Sequence, residues 1–463
     1  MDYAIPRVVA IGVLLLGTVG ACGEDSQPAA DAQVSDADAG ILNDDLSMPL
    51  TPTVDSSKFM GSATCGGCHT QHYDEWKSSM HSYAMIDPVY RAAVKVRQAD
   101  REGREDRFCL QCHSPIGTRS GDIQPGFDFE ALEAITLEGV NCETCHSISE
   151  VQRPFNAGLV MDVGGPFKGP IQNPESSPAH DTEFSELFSS SKLCASCHDV
   201  VEVDGLNLER PYQEWLESPA AQNGVECQTC HMATYRGKAT NTSAERDLHE
   251  HYFVGVDMPL ESDFLPTPED YDALRGRIAN LLTNAATITL EAQPGEAGDQ
   301  LDLYVSIHNN IVAHNIPTGS TFNRQVWLEV IATDADNNVL YETGTLDGNG
   351  DLRNYWSEDE AYSDHDLIEF GSRLTDIAGN PTVFSWRATE HHTNSLSPLY
   401  DRTSTLFIPT SGTTNGPVHV EARLRFRSFP PYLLRALGLS EFVGNLEVFD
   451  IDSISIDVDL LEP

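Results

Sequence analysis

The pentapeptide Cys-x-x-Cys-His occurs five times between residues 65 and 231. The copies are Cys65-Gly-Gly-Cys68-His69, Cys109-Leu-Gln-Cys112-His113, Cys142-Glu-Thr-Cys145-His146, Cys194-Ala-Ser-Cys197-His198 and Cys227-Gln-Thr-Cys230-His231. Two thiols and an imidazole at this spacing attach c-type haem: the thiols add to the porphyrin vinyl groups, and the histidine binds the iron from one face. Structural zinc instead takes four ligands from two matched pairs, and five identical units do not divide into such sites. Oxidation of each cysteine pair to a disulfide leaves the invariable histidine unexplained. Five covalently attached haem c groups are therefore expected, and they constrain the fold. Large apolar cofactors serve as core, so the chain around them needs only helices at the motifs and loops elsewhere.

The chain has eleven cysteines, ten of them in the motifs. The eleventh, Cys22, follows Arg7, an apolar run from Val8 to Val19, and Gly20-Ala21. Residues 1–21 read as a secretory signal too short to be a settled transmembrane helix. The small residues ahead of Cys22 resemble the bacterial lipoprotein cleavage box, which implies that Cys22 becomes the lipidated first residue. Several acyl chains anchor stably where one does not. The expectation is an exported protein, lipid-anchored to a bacterial membrane, with Gly23 favouring the outer membrane by the usual sorting rule, facing periplasm or cell surface. Residues 22–57, rich in Gly, Ala, Asp, Ser and Pro and without aromatics, are expected to form a disordered acidic tether.

Formal net charge is −43. That excludes nucleic acid and anionic lipid surfaces as partners, since both attract cations. A cationic redox protein is compatible as donor or acceptor, as is a metal ion or mineral surface.

All five motifs precede residue 232, and the segment after about 285 has no cysteine. The sequence divides into a haem domain at 58–260, a linker helix at 261–285 and a strand domain at 286–463. The helix signal is Thr267-Pro268-Glu269-Asp270, a threonine cap with proline first and carboxylates in the first turn. Tyr271, Leu274, Ile278, Leu281 and Leu282 then supply one apolar face. Beyond it the period is two, in Leu301–Ile307, Val326–Val330 and Val418–Phe426. Phe449 and Ile451 lie in one phase and Ile454, Ile456 and Val458 in the other, which predicts a bulge near Ser453. The fold class is α+β multidomain: a mainly helical, loop-rich cytochrome followed by an antiparallel β-sandwich.

Two flanks make a family resemblance specific. Gly61-Ser62-Ala63-Thr64 before the first motif with Trp76-Lys77-Ser-Ser79-Met-His81 after it resembles the multihaem cytochromes of the cytochrome c-554 and hydroxylamine oxidoreductase superfamily. Tyr212-Gln-Glu-Trp215 ahead of the fifth motif, Gly139-Val-Asn ahead of the third, and His251-Tyr-Phe253-Val-Gly255 fit the same group. The resemblance implies that His81, His180 and His251 are distal haem ligands, with His249 a close competitor of His251. Asn309-Asn310-Ile-Val-Ala313-His314-Asn315-Ile316-Pro317-Thr318-Gly319 resembles a motif of attached sandwich domains whose histidine reaches a haem, which implies His314 as a fourth. His391 and His392 are the remaining candidates for a fifth distal ligand, without a motif.

Three functions compete. An electron carrier needs closed irons, and enough histidines exist to close every one. A haem oxidoreductase acting on hydroxylamine, nitrite or a sulfur oxyanion needs one open iron, but no Cys-x-x-Cys-Lys variant marks a nitrite-reductase-like haem. A conductive assembly subunit is third, because acidic self-repulsion and a lipid anchor oppose it. Electron transfer leads, and no catalytic residue is assigned.

Overall fold

The computed structural model describes residues 51–175, 177–295, 299–411 and 416–460. The signal, Cys22 and most of the tether lie outside the described residues.

Each motif sits on or just after a short helix: α1 (Ser62–Gly66), α5 (Arg107–His113), α6 (Cys142–His146), α7 (Ser191–Ala195) and α9 (Cys227–His231). Between α1 and α5 lie α2 (Thr70–Lys77), α3 (Met80–Tyr83) and α4 (Pro88–Asp100). The chain from the first motif to His81 is thus not one helix but breaks at Ser78–Ser79, whose hydroxyls bond back to Glu75 O and Trp76 O. A short hairpin, β1 (Val200–Val201) with β2 (Asn207–Glu209), and helix α8 (Pro211–Leu216) separate α7 from α9.

Helices this short leave most of their backbone donors and acceptors unpaired, and neighbouring motifs supply partners. Glu143 Oε2 of α6 accepts Met60 N and Gly61 N at 2.8 Å each, while Glu138 Oε2 accepts Ser62 N at 2.9 Å. Carboxylates thus sit at the N-terminus of α1, where the helix dipole favours them. Glu226, just before α9, accepts Ser191 N at 2.7 Å, and Ser191 Oγ accepts Cys227 N at 2.9 Å. The first motif is braced to the third and the fourth to the fifth.

Helix α10 (Pro268–Thr283) starts at a complete capping box between Thr267 and Asp270. It buries Leu274, Ile278 and Leu282 against the strands that follow. Its other side reaches the cytochrome part through Arg277, 3.6 Å above the ring of Tyr252. Strands β3 (Ala286–Pro294), β4 (Gln300–Asn309) and β11 (Asp401–Pro409) form one antiparallel sheet in the order β11-β4-β3. A second has the order β6-β5-β12-β13, from β5 (Gln325–Thr333), β6 (Val339–Thr343), β12 (Val418–Arg427) and β13 (Phe449–Val458), with β7 (Ile368–Phe370) beside β5. Alternate residues of both sheets, among them Ile288, Leu303, Leu328 and Leu424, share the largest buried cluster. The bulge falls at Ile451, two residues before the expected place: Arg425 faces Asp450 and Leu424 faces Asp452, leaving Ile451 extra. That residue carries the phase change from Phe449 and Ile451, both buried, to the half-buried Ile454 and Ile456.

A third, small sheet is inserted here: β8 (Ser372–Thr375), β9 (Pro381–Thr382) and β10 (Glu390–Thr393), in the order β9-β8-β10. It docks on the cytochrome part. Trp386 Nε1 and Arg387 Nε both donate to Asp100 of α4, at 2.7 and 2.6 Å. Ser385 Oγ donates to Glu202, which also takes the buried Arg97 guanidinium at 2.8 and 2.9 Å. A pair this buried is held by two parallel bonds from Arg97 to Glu202 and a third from Arg97 to Glu105.

Candidate haem centres

The ten described cysteines are free thiols. Across motifs they approach one another: Cys65 lies beside Cys142, Cys112 beside Cys197 and Cys194 beside Cys227. Cys145 feels the charge of Cys197, and burial pushes its thiol up to about 12. The attachment points therefore form a connected set. The first motif meets the third, the third meets the fourth, and both the second and the fifth meet the fourth.

Four of the five motif histidines share one arrangement. Nδ1 faces a backbone carbonyl in His69 (Ala239 O, 2.7 Å), His113 (Ala84 O, 3.1 Å), His146 (Lys168 O, 2.6 Å) and His231 (Val254 O, 2.7 Å). That bond places the proton on Nδ1 and leaves the Nε2 lone pair for a metal. Burial keeps the imidazoles neutral, which is the ligating form: His113 is lowered to about 4, and His146 and His198 are also lowered.

Opposite four of the five stands a second imidazole. Ring centres are 6.2 Å apart for His69 and His180, 6.1 Å for His198 and His81, 6.4 Å for His146 and His251, and 6.4 Å for His231 and His314. Two metal–nitrogen bonds of about 2 Å, plus roughly 1.2 Å from each nitrogen to its ring centre, put imidazoles sharing one iron about 6.4 Å apart. The four separations fit that requirement. Of the second set, His180, His251 and His314 also have Nδ1 on carbonyls, at 3.2, 2.9 and 2.9 Å. Burial lowers His81 and His251 to about 3 and His314 to about 4.

Each partner is positioned by the chain around it. His81 lies on α3 where Gly139 crosses: Val140 N donates to His81 O at 3.1 Å, and a Cβ on Gly139 would stand 2.7 Å from that oxygen. His251 N donates to the buried Glu75 at 2.8 Å. His314 is held from the cytochrome side by Glu214 of α8, whose Oε2 accepts Asn315 N at 3.0 Å and Thr318 Oγ1 at 2.5 Å. Ala220 N donates to Val312 O at 3.1 Å. Thus the Tyr212-Gln-Glu-Trp215 segment clamps the strand-region loop that carries His314.

Two histidines complicate the set. His72 is also 6.4 Å from His69, but it lies 4.5 Å from His251 and its Nε2 is bonded to Tyr235 Oη at 3.0 Å. With Glu75 and His251 it makes the one cluster of potential metal-ligand atoms among the described residues. His249 has Nδ1 on Met232 O at 2.8 Å, and it is His251, not His249, whose ring faces His146. His72, without a motif of its own, sits between the first and third centres.

His113 differs. Among the described residues no imidazole stands at the common separation from it. Tyr90 covers its ring face to face at 3.8 Å and 4° instead, which orients the imidazole without opposing it. His391 bonds Asn207 O of β2 at 2.8 Å, and the exposed His392 bonds Glu390. His391 thus carries a carbonyl-bound Nδ1 like the assigned ligands. Met85 is fully buried in the apolar cluster beside Cys109.

Residues 64–147 match the family model described as cytochrome c554 and c-prime. No curated protein matches the chain. Among solved structures it is similar to a penta-heme cytochrome c552 from Thermochromatium tepidum, at 20% identity and a TM-score of 0.60, over 87% of this chain and 99% of that one. At that identity the likeness is one of fold, and it runs through both the helical part and the sheets. The five attachment motifs and the family match across the first three of them mark this chain as a multihaem c-type cytochrome with covalently bound haem c, the equipment of electron transfer.

Proposed function

We propose that this chain is an exported, lipid-anchored penta-haem cytochrome of a respiratory chain, carrying electrons through irons that are mostly closed by two histidines. Cys65 and Cys68, Cys109 and Cys112, Cys142 and Cys145, Cys194 and Cys197, and Cys227 and Cys230 would hold the haems. His69, His113, His146, His198 and His231 would bind the irons on one face, with His180, His251, His81 and His314 on the other face of the first, third, fourth and fifth. The four ring separations of 6.1–6.4 Å carry the reading. His180 is preferred to His72 on the first iron because His72 Nε2 is engaged by Tyr235. An iron with both axial positions filled binds no substrate and can only gain or lose an electron.

One observation favours a second reading for one centre. Tyr90 stacks on His113, and His391, whose Nδ1 bonds Asn207 O, is the candidate to close that iron; where it does not, the second iron is the place for a small nitrogen or sulfur compound. A pyridine haemochrome assay against protein mass should give five haems per chain. Nitric oxide added to the reduced protein should then perturb one fifth of the Soret band. Fewer than five haems, or no response in any of them, would contradict the respective half of the reading.

A further inference from the structure

We propose that Tyr90 is a positioning residue of the second centre: its ring fixes the plane of His113, and its hydroxyl donates a hydrogen bond to a propionate of the haem held by Cys109 and Cys112. The inference rests on the reading of the motifs as haem attachment sites.

The imidazole of His113 is held on two sides by one stretch of chain. Its Nδ1 bonds Ala84 O at 3.1 Å, and the Tyr90 ring lies 3.8 Å from it and within 4° of parallel. That stretch has little freedom. Asp87 caps α4 by accepting Val89 N at 2.9 Å, and Arg91 Nε reaches back to Met85 O at 2.8 Å. Farther along α4, Val94 shares a buried cluster with Met85 and with Leu110 of α5, and Arg97 lies beside the Cys109 thiol. Helix α4 therefore packs along the second motif and carries Tyr90 onto His113. A comparable ring, Phe188, lies on His146 of the third motif, but at 5.3 Å and 21°, and it has no polar atom to place.

The hydroxyl is what the packing leaves unexplained. Tyr90 Oη is buried, and no described residue gives it a hydrogen-bond partner. A hydroxyl buried in that state is costly, and native proteins meet the cost with a partner from the chain or from a bound group. Burial, with the nearby Cys109 and Cys112 thiols adding to it, pushes the phenol well above its usual range, so it remains a protonated donor. The strong acceptors that a haem presents to such a donor are its propionate carboxylates. A charge-assisted bond to one of them satisfies the hydroxyl. It also offsets an anion close to the iron and so favours the ferrous state.

The test uses the haem-loaded protein with its haem content fixed by pyridine haemochrome assay. Tyr90→Phe keeps the ring and removes the donor. In a spectroelectrochemical titration one component should move to lower potential by about threefold in its reduction equilibrium constant, about 28 mV for a one-electron couple. The propionate bending band of one haem should shift in the resonance Raman spectrum, while the paramagnetic resonance signals stay as in the parent. Tyr90→Leu removes the ring as well, and should in addition change the paramagnetic signal of that one haem. Phe188→Leu is the control, expected to change the signal of a different haem and no propionate band. An unchanged potential or an unchanged propionate band in Tyr90→Phe, or identical spectra for Tyr90→Phe and Tyr90→Leu, would overturn the proposal. A second motif without haem would overturn the haem reading together with it, and the haem count separates that case from a hydroxyl that bonds nothing.

Discussion

Replacing His314 by alanine is expected to turn one iron in five, that on His231, from low-spin to high-spin. His314 is the imidazole that stands 6.4 Å from His231, and its loop is clamped by Glu214 and Ala220 rather than free to be replaced by a neighbour. Loss of one neutral nitrogen donor leaves that iron five-coordinate or water-bound and raises its reduction potential relative to the histidine-closed state. Added imidazole should restore the low-spin spectrum, an outcome that a merely misfolded variant would not give. Glu214→Gln should weaken the same ligation partially, since its carboxylate holds both Asn315 and Thr318. His308→Ala is the control, because His308 bonds Asp401 on an exposed strand and should leave all five irons unchanged. Magnetic circular dichroism in the near infrared reads each case directly.

A chain produced without haem attachment is expected to lose the structure of residues 58–260 while keeping that of the strands. The two parts bury apolar surface very differently. In the cytochrome part the buried clusters are small, such as Met85, Val94, Leu110, Ile123 and Phe129, or Ile148, Val151 and Leu159. The strand region shares one large cluster that includes helix α10. Burial stabilises by about 25 cal/mol per Å² of apolar area, and ordering a residue costs roughly 1–2 kcal/mol. Without porphyrins the cytochrome part lacks the area to offset that cost, whereas the strands do not. Limited proteolysis of such a chain, followed by mass spectrometry, should give a resistant fragment beginning near residue 260. A protected fragment covering the motifs would show that the cofactors are not the core.

The attachment chemistry was fully legible in the sequence, because it is local: two thiols and an imidazole within five residues. The helix start at Thr267 and the alternation in β4, β5 and β12 were legible for the same reason. The phase change near the C-terminus placed the bulge only to within two residues, because a register shift is decided by the partner strand, here Arg425 and Leu424. What was not legible is how distant segments meet. His180 precedes the fourth motif in sequence, yet its ring faces His69 of the first. No local pattern reports that Ala239, Lys168 or Val254 will offer a carbonyl to a motif histidine. Glu214 sits within a segment read as part of the family resemblance, and its two bonds to the His314 loop are formed by chain closure over about a hundred residues. The stack of Tyr90 on His113 is likewise a tertiary fact, and it sets the second centre apart from the others.

In the proposed reading four irons are closed by paired histidines, and the one on His113 is set apart by the Tyr90 stack. Quantitative electron paramagnetic resonance of the fully oxidised protein, with haem content fixed independently, tests it most directly. Low-spin signals integrating to four haems per chain are expected, with a fifth haem that is high-spin or changes when a small ligand is added. Five low-spin signals indifferent to added ligand, or two or more high-spin irons, would contradict it.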